Sequence, residues 1–154
     1  ALGLTKNHLL NFYSMPTRVR AIIIQDQKIL LIKRKKDGLV YWVLPGGQVE
    51  NGEVNEFALR RECQEELGVQ VKVKELLHEM FSQKLETLGQ SEYFFNGEII
   101  GGTLGSGTGP EWQRGFHYTG TYKIEWVELK NLAEIDLKPM EIKKIILNKL
   151  ANEG

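Results

Sequence analysis

Three glutamates lie close together in the middle of the chain, at positions 62, 65 and 66. Residues three or four positions apart are neighbours on an α-helix, so Glu62, Glu65 and Glu66 would place three negative charges on one helical face. Each like-charge pair of this kind costs an isolated helix about 0.2–0.5 kcal/mol, and a hard divalent cation turns that repulsion into a binding site. Because all the donors are oxygens, the cluster favours Mg²⁺, with Mn²⁺ as a substitute, over metals that prefer His or Cys.

A glycine-rich turn precedes this acidic stretch. Pro45, Gly46 and Gly47 allow bare backbone to approach a ligand, because glycine adopts left-handed conformations and has no side chain to block the approach. A second turn signal, Asn51-Gly52, leads into the helix, whose amino end is partially positive and attracts anions. An acidic helical face is by itself usually just solvated. The glycine turn, together with the arginine among the acids, instead favours a site where a metal ion and a phosphate group meet.

The stretch from Leu44 to Val69 resembles the Nudix box, a family pattern of glycines, acids and one arginine at fixed spacing. The pattern is Gly, five residues, Glu, seven residues, Arg-Glu, an aliphatic residue, any residue, Glu-Glu, any residue, Gly and an aliphatic residue. The matching positions are Gly47, Glu53, Arg61, Glu62, Cys63, Glu65, Glu66, Gly68 and Val69. Cys63 stands at an aliphatic position, a small departure because a buried cysteine packs as a small hydrophobe.

The resemblance implies a Mg²⁺-dependent hydrolase that cleaves the diphosphate linkage of a nucleoside diphosphate joined to another moiety. The implied metal ligands are Glu62, Glu65, Glu66 and the carbonyl of Gly47, and the implied substrate contacts in the turn are Gly46 and Gly47. Glu53 lies nine residues before Glu62, nearly on the opposite face of a regular helix, so it is not expected to bind the metal with the others. In the family this glutamate commonly pairs with the box arginine, which implies a Glu53–Arg61 pair that braces the loop against the helix.

Two further candidates lie outside the box. Residues 101–120 form a glycine-rich stretch that is long for a connection, and long loops in compact domains are often functional. Family members often take an additional catalytic or metal-binding glutamate from this part of the chain. Glu111 is the candidate and Glu98 the alternative, while the interpretation of Glu111 as a solvated loop residue stays open. Arg34 is the candidate phosphate contact, because the family often places such an arginine near the end of the second strand.

The elements that must position these residues can be predicted from periodicity and turn signals. Apolar runs at 19–24 and 28–33 predict a β-hairpin, and further strands are expected at 41–44, 69–79, 92–100 and 121–129. The box helix should end near Leu67, with Gly68 as its stop, and Pro139 fits the first turn of a closing helix. Two stripes should face the core: Leu59, Cys63 and Leu67 on the box helix, and Ile142, Ile145, Ile146 and Leu150 on the closing helix.

This order of elements resembles the Nudix fold, an α/β architecture with a mixed β-sheet sandwiched between α-helices. The expected domain covers residues 16–154, and residues 1–15 are expected to be a native N-terminal extension or a remnant of cloning. The chain has 154 residues with 20 basic and 20 acidic side chains, so neither polymeric nucleic acid nor an anionic membrane is an expected partner. One cysteine excludes an internal disulfide and fits a reducing cytosol, so a cytoplasmic location is expected.

The sequence leaves the substrate open within small nucleotides. ADP-ribose and dinucleoside-polyphosphate members of the family tend to carry a Pro or Tyr a short way beyond the box, where this chain has residues 82–85, Ser-Gln-Lys-Leu. We therefore favour a nucleoside triphosphate, including oxidised or otherwise non-standard ones, with nucleotide sugars and dinucleoside polyphosphates as alternatives. A catalytically silent, nucleotide-sensing domain is the rival hypothesis, although such domains usually lose box glutamates. Homodimers are common in the family, and nothing in the sequence fixes an interface.

Overall fold

Two helices and eight strands make up the part of the chain that a computed structural model describes, residues 16–81, 89–109 and 121–153. The strands are β1 Thr17–Gln25, β2 Lys28–Lys36, β3 Leu39–Val43, β4 Gly46–Gln48, β5 Val69–Phe81, β6 Ser91–Gly102, β7 Thr121–Glu128 and β8 Leu137–Lys138. The helices are α1 Asn55–Leu67 and α2 Met140–Glu153, and a short 3₁₀ helix covers Leu129–Glu134. Within these ranges, neither α1 nor α2 has the length and apolar character needed to cross a membrane.

The predicted hairpin joins β1 to β2 through Asp26 and Gln27. Both residues have positive φ, 52° and 64°, which is the conformation of a type I′ turn and matches the twist of the flanking strands. Ile24 pairs with Ile29 next to this turn. β2 continues to Lys36, three residues beyond its predicted end at residue 33, because the basic run remains paired with β3 and β7.

Beyond the hairpin turn, β1 and β2 separate and each collects its own neighbours. β1 pairs antiparallel with β4 and parallel with β6, and β6 pairs antiparallel with β5. β2 lies between β3 and β7 in antiparallel register, and β3 pairs parallel with β8. The sheet therefore contains both parallel and antiparallel pairs, so it is mixed, as predicted.

The sheet has a buried core on each face. Alternate residues of β2 divide between the two cores, Leu30 and Ile32 toward α1 and Ile29 and Leu31 toward α2. The α1-side core is formed by Val19, Ala21, Ile23, Leu30, Ile32, Ala58, Leu59, Cys63, Leu67, Val69, Val71 and Phe95. The other core is formed by Ile22, Ile29, Leu31, Leu44, Phe94, Val127, Leu132, Leu137, Ile142 and Ile146. A mixed sheet sandwiched between helices is thereby confirmed.

The helix ends follow the predicted signals with one shift. Gly68 ends α1 in the left-handed conformation, φ 79°, and its N–H donates to the Gln64 carbonyl at 3.0 Å. α2 begins at Met140, one residue after Pro139, whose carbonyl accepts the N–H of Ile142 at 3.1 Å. Pro139 is therefore the residue before the helix rather than part of its first turn.

Candidate active site

Arg61 fastens helix α1 to the loop that precedes it. Its Nε donates to Glu53 Oε2 at 2.7 Å and its Nη2 donates to Glu53 Oε1 at 2.9 Å, a forked pair. Nη2 also donates to the backbone carbonyl of Gln48 at 3.0 Å. The Arg61 side chain is only 18% exposed and that of Glu53 only 10%. The contact expected between Glu53 and Arg61 is present, and it ties the end of β4 and the loop to the helix.

The remaining guanidinium nitrogen, Nη1, contacts the acidic face of α1. It donates to Glu62 Oε1 at 3.0 Å and to Glu65 Oε2 at 3.1 Å, with a Glu50 oxygen at 3.7 Å. One guanidinium group thus lies within 4 Å of the carboxylates of four glutamates, Glu50, Glu53, Glu62 and Glu65. The hydrogen bond from Arg61 lowers the pKa of Glu53, and the same bond raises the pKa of Arg61.

The glycine turn lies directly against the same helical face. The N–H of Gly46 donates to Glu66 Oε1 at 3.0 Å. Gly47 pairs with Val19 of β1, and a Cβ built on Gly47 would overlap the carboxylate of Glu62. A Cβ on Gly46 would overlap the Val19 carbonyl. Gly46 is therefore required by the close approach of the β1 backbone, whereas a side chain at position 47 would displace the Glu62 carboxylate.

We expect the substitution Gly47→Ala to lower kcat/KM about 10²-fold, because the new methyl group displaces the Glu62 carboxylate and a misplacement of about 1 Å has effects of this size. Stability should change little, since the displaced group is the end of a flexible side chain. Gly101→Ala is the matched control: its Cβ would also meet the end of a side chain, Gln70 Oε1 at 2.8 Å, on the β5–β6 ribbon. Steady-state kinetics and thermal unfolding measure the two effects, and equal kcat/KM losses in both variants would contradict the assignment.

The donor chemistry of the acidic face fits a hard cation. Glu62, Glu65 and Glu66 offer only carboxylate oxygens, and a positive group, Arg61 Nη1, already lies between the first two. In residues 16–81, 89–109 and 121–153, no set of three His, Cys, Asp or Glu side chains is arranged to hold a metal ion. A divalent cation would therefore have to displace Nη1, and Arg61 would keep its anchors on Glu53 and Gln48.

Arg34 lies outside this cluster, on β2. Its guanidinium carbon stands 4.6 Å from the ring centre of Tyr122 and 5.5 Å from that of Tyr41. Trp42 packs against the α2-side core, and Lys33 Nζ lies 5.4 Å from its ring. The structure thus places Arg34 between two tyrosines of neighbouring strands.

Of the two candidates for an additional catalytic or metal-binding glutamate, only Glu98 lies in the described residues. Glu111 lies outside the described residues, as do Trp112, Phe116 and Tyr118 of the same stretch. Glu98 lies on β6 and is half exposed. Its carboxylate forms an ion pair with Lys74 of the neighbouring strand β5, at 3.3 Å. Cys63 is fully buried in the α1-side core. This burial raises the pKa of its thiol, so the thiol stays neutral.

Sequence reasoning missed several contacts that build this corner. The Gln48 carbonyl gives no signal in a sequence because every residue has a carbonyl. Arg20 donates to the Leu44 carbonyl at 3.1 Å and to Glu92 Oε1 at 3.1 Å, which holds the chain just before the glycine turn. The available signal was an arginine in the middle of a strand rich in apolar residues, because an arginine requires polar partners when it is buried.

The sequence of this chain matches one family model and is similar to several known proteins. The NUDIX domain family model matches residues 15–146. An ADP-ribose pyrophosphatase from Methanocaldococcus jannaschii is 44% identical over 91 residues, which are 58% of this chain and 54% of that protein. Nucleoside triphosphatase NudI from Escherichia coli O139:H28 is 43% identical over 74 residues, 46% of this chain and 52% of that protein. This chain thus spans about half the length of the curated relatives it matches.

The likeness to solved structures extends over most of the chain. The solution structure of the E. coli ORF135 protein has a TM-score of 0.64 at 26% identity, covering 90% of this chain and 92% of that one. The same arrangement of sheet and helices is therefore present in both proteins.

Proposed function

This chain belongs to the NUDIX domain family, and from that membership we propose that it is a Mg²⁺-dependent pyrophosphohydrolase of nucleoside diphosphate derivatives. The bond cleaved is the diphosphate linkage between a nucleoside diphosphate and another moiety. The observation that carries the proposal is the acidic face of α1 held against the glycine turn, with Glu66 bonded to Gly46 and Glu62 packed on Gly47. The names of the two curated relatives, a pyrophosphatase and a triphosphatase, support the same class of reaction.

Each residue has a definite task in this proposal. Glu62, Glu65, Glu66 and the carbonyl of Gly47 would hold the metal. A Mg²⁺ ion held there would supply charge that neutralises phosphate oxygens and would lower the pKa of a water molecule. A carboxylate, either one of the helix glutamates or Glu111, would take the proton from the attacking water. Glu53 and Arg61 are positioning residues, because they act on the substrate only by fixing the loop and the helical carboxylates.

Within this class we propose a nucleoside triphosphate as substrate, including oxidised or otherwise non-standard ones. The triphosphatase NudI supports this choice, while the ADP-ribose pyrophosphatase supports a nucleotide sugar as the alternative, and dinucleoside polyphosphates stay open. The partner is a small nucleotide rather than polymeric nucleic acid. A cytoplasmic location and homodimerisation stay predictions.

The experiment that tests the proposal is phosphate release, through a coupled pyrophosphatase or phosphatase, from a panel of these three nucleotide classes with Mg²⁺. We expect turnover of the triphosphates, and loss of that turnover in a Glu65→Gln/Glu66→Gln variant. Turnover of another class alone would reassign the substrate. If no nucleotide of the three classes is hydrolysed although nucleotides still bind, the rival hypothesis, a nucleotide-sensing domain without catalysis, is favoured.

A further inference from the structure

Helix α1 has a flank that is exposed from its first turn to its last. Glu56, Phe57, Arg60 and Gln64 follow one another at helical spacings of three and four and are all exposed. Phe57 is 52% exposed, and Val54, one turn before it, is 65% exposed. Single apolar residues are common on protein surfaces, whereas a group of them rimmed by polar residues marks an interaction surface. We refer to Val54, Glu56, Phe57, Arg60 and Gln64 as the outer flank of α1.

A groove of about 370 Å³ runs between this flank and the sheet. Its walls include Phe57, Arg60 and Gln64 from α1, and Gln70, Val71 and Ile100 from the start of β5 and the end of β6. Ile100 is 60% exposed, so both sides of the groove offer an uncovered apolar side chain. The Arg60 guanidinium carbon lies 6.0 Å from the centre of the Phe57 ring. The groove therefore suits an apolar side chain that comes with a negative charge.

The outer flank carries one acidic and one basic side chain, Glu56 and Arg60. Both are exposed. In the ranges that the structure describes, neither has an oppositely charged group within 4.0 Å. A two-fold axis places the same patch of two copies face to face, so opposite charges on one patch can pair with each other across it. The flank is therefore complementary in charge to a second copy of itself.

The same two-fold arrangement fills the groove. If two α1 helices lie antiparallel with Glu56 of each copy opposite Arg60 of the other, residue 57 is opposite residue 59 and residue 64 is opposite residue 52. The groove extends along residues 57–64 of α1, so it faces residues 52–59 of the other copy. That range contains the exposed side chains of Val54 and Phe57. Each copy thus presents apolar side chains to the groove of the other.

We propose that the outer flank of α1 is the interface of a homodimer, in which antiparallel α1 helices pair Glu56 of each copy with Arg60 of the other. Val54 and Phe57 of each copy occupy the groove of its partner. The chain has 20 basic and 20 acidic residues, so no net charge opposes the association. Arg61 also lines the groove, and the second copy therefore covers the residue that fastens α1 to its loop.

The first measurement is sedimentation velocity of the whole chain over a range of concentrations. Because exposed ion pairs contribute little and one helix flank is a small interface, we expect a reversible dimer with a dissociation constant on the order of 10 µM. Turnover and unfolding measured far below that concentration concern the monomer. A chain that stays monomeric at roughly 30 times that concentration would overturn the inference. The measured quantity is mass, so the result does not depend on the proposed function.

Charge reversal tests the pairing itself. Glu56→Arg and Arg60→Glu each place like charges opposite each other at two points of the dimer, so each should raise the dissociation constant at least about 10-fold. An equimolar mixture of the two variants should regain the wild-type affinity, because every such contact in the mixed dimer again joins opposite charges. Glu134→Arg is the control, since Glu134 is exposed on the 3₁₀ helix, which packs on the α2-side core. Its dissociation constant should equal that of the wild-type chain.

The substitution Phe57→Gln tests the filling of the groove. Glutamine suits a helix, and Phe57 is half exposed, so the fold should survive. The dissociation constant should rise about 10-fold or more, as expected for an aromatic side chain that enters a pocket of its partner. Thermal unfolding shows whether each variant is folded. A dimer that both charge reversals leave unchanged, or a mixture that associates no better than either variant alone, would show that the dimer uses another surface.

Discussion

Replacing Glu66 with glutamine is expected to lower kcat by at least about 10²-fold, the size of effect seen when a group that transfers a proton is removed. Glutamine keeps a carbonyl oxygen that can accept the N–H of Gly46, which Glu66 now accepts at 3.0 Å. The fold of the corner should therefore survive. The substitution removes the negative charge that strengthens binding of a hard cation and the basicity that a proton acceptor needs. Stability should even rise slightly, by about 0.2–0.5 kcal/mol, because one like-charge pair on the helix is relieved.

The matched control is Glu56→Gln, which removes an exposed carboxylate from the first turn of the same helix. It changes the net charge equally, so any loss through long-range electrostatics would affect both variants alike. We expect its kcat to equal that of the wild-type protein, and Glu66→Gln with wild-type turnover would remove Glu66 from the site. Glu111→Gln in the same assay decides the other candidate base, because unchanged turnover there would eliminate Glu111.

The residues that the sequence predicted well are those whose positions depend on local geometry. Helical spacing alone puts Leu59, Cys63 and Leu67 on one face, and all three are buried. The Glu53–Arg61 pair was implied instead by the resemblance to the Nudix box, and the two side chains meet in the structure. Local spacing is decided by the backbone period, which does not depend on the rest of the fold.

The contacts that the sequence could not predict depend on strand pairing between distant segments. The Gly46 N–H can donate to Glu66 only because β4 pairs with β1 and β1 packs against α1. Likewise, Arg34 lies between Tyr41 and Tyr122 only in the observed register of β2 with β3 and β7. A slip of one residue in either pairing would send these side chains to opposite faces. Burial is also set by the final packing, so Ile24, within an apolar run, is 41% exposed.

The substitution Arg61→Ala is expected to lower the free energy of unfolding by about 2–3 kcal/mol in the absence of divalent metal, somewhat less than for a fully buried ion pair. The reason is that the side chains of Glu53 and Glu62, 10% and 19% exposed, would lose the cation that neutralises them. Arg61→Lys keeps the charge but cannot form the fork, so its loss should be intermediate. Urea unfolding at neutral pH measures both effects, and Arg60→Ala, on the same helix and exposed, is the control.

Divalent metal should reduce this difference between the wild-type protein and Arg61→Ala. In the wild-type protein an ion must displace Nη1 from Glu62 and Glu65, whereas in the variant those carboxylates are already available. A ligand that binds only the folded state stabilises it by RT ln(1 + [L]/Kd), so Mn²⁺ should raise the stability of the variant more than that of the wild-type protein. Equal stabilisation of both proteins by Mn²⁺ would show that Arg61 does not compete for the metal position.

Acid should also reduce the difference in unfolding free energy between the wild-type protein and Arg61→Ala, for a separate reason. The hydrogen bond from Arg61 is the main cause that lowers the pKa of Glu53, so Glu53 binds its proton less readily in the folded protein than in the unfolded chain. The resulting stabilisation is fully present above the ordinary pKa of glutamate, about 4.3, and is lost as the pH falls through the lower folded-state value. The unfolding free energies of the wild-type protein and Arg61→Ala, measured in urea at a series of pH values, should therefore converge below about pH 4. A difference that stays constant into that acid range would mean that the Glu53–Arg61 pair is not what stabilises the wild-type protein.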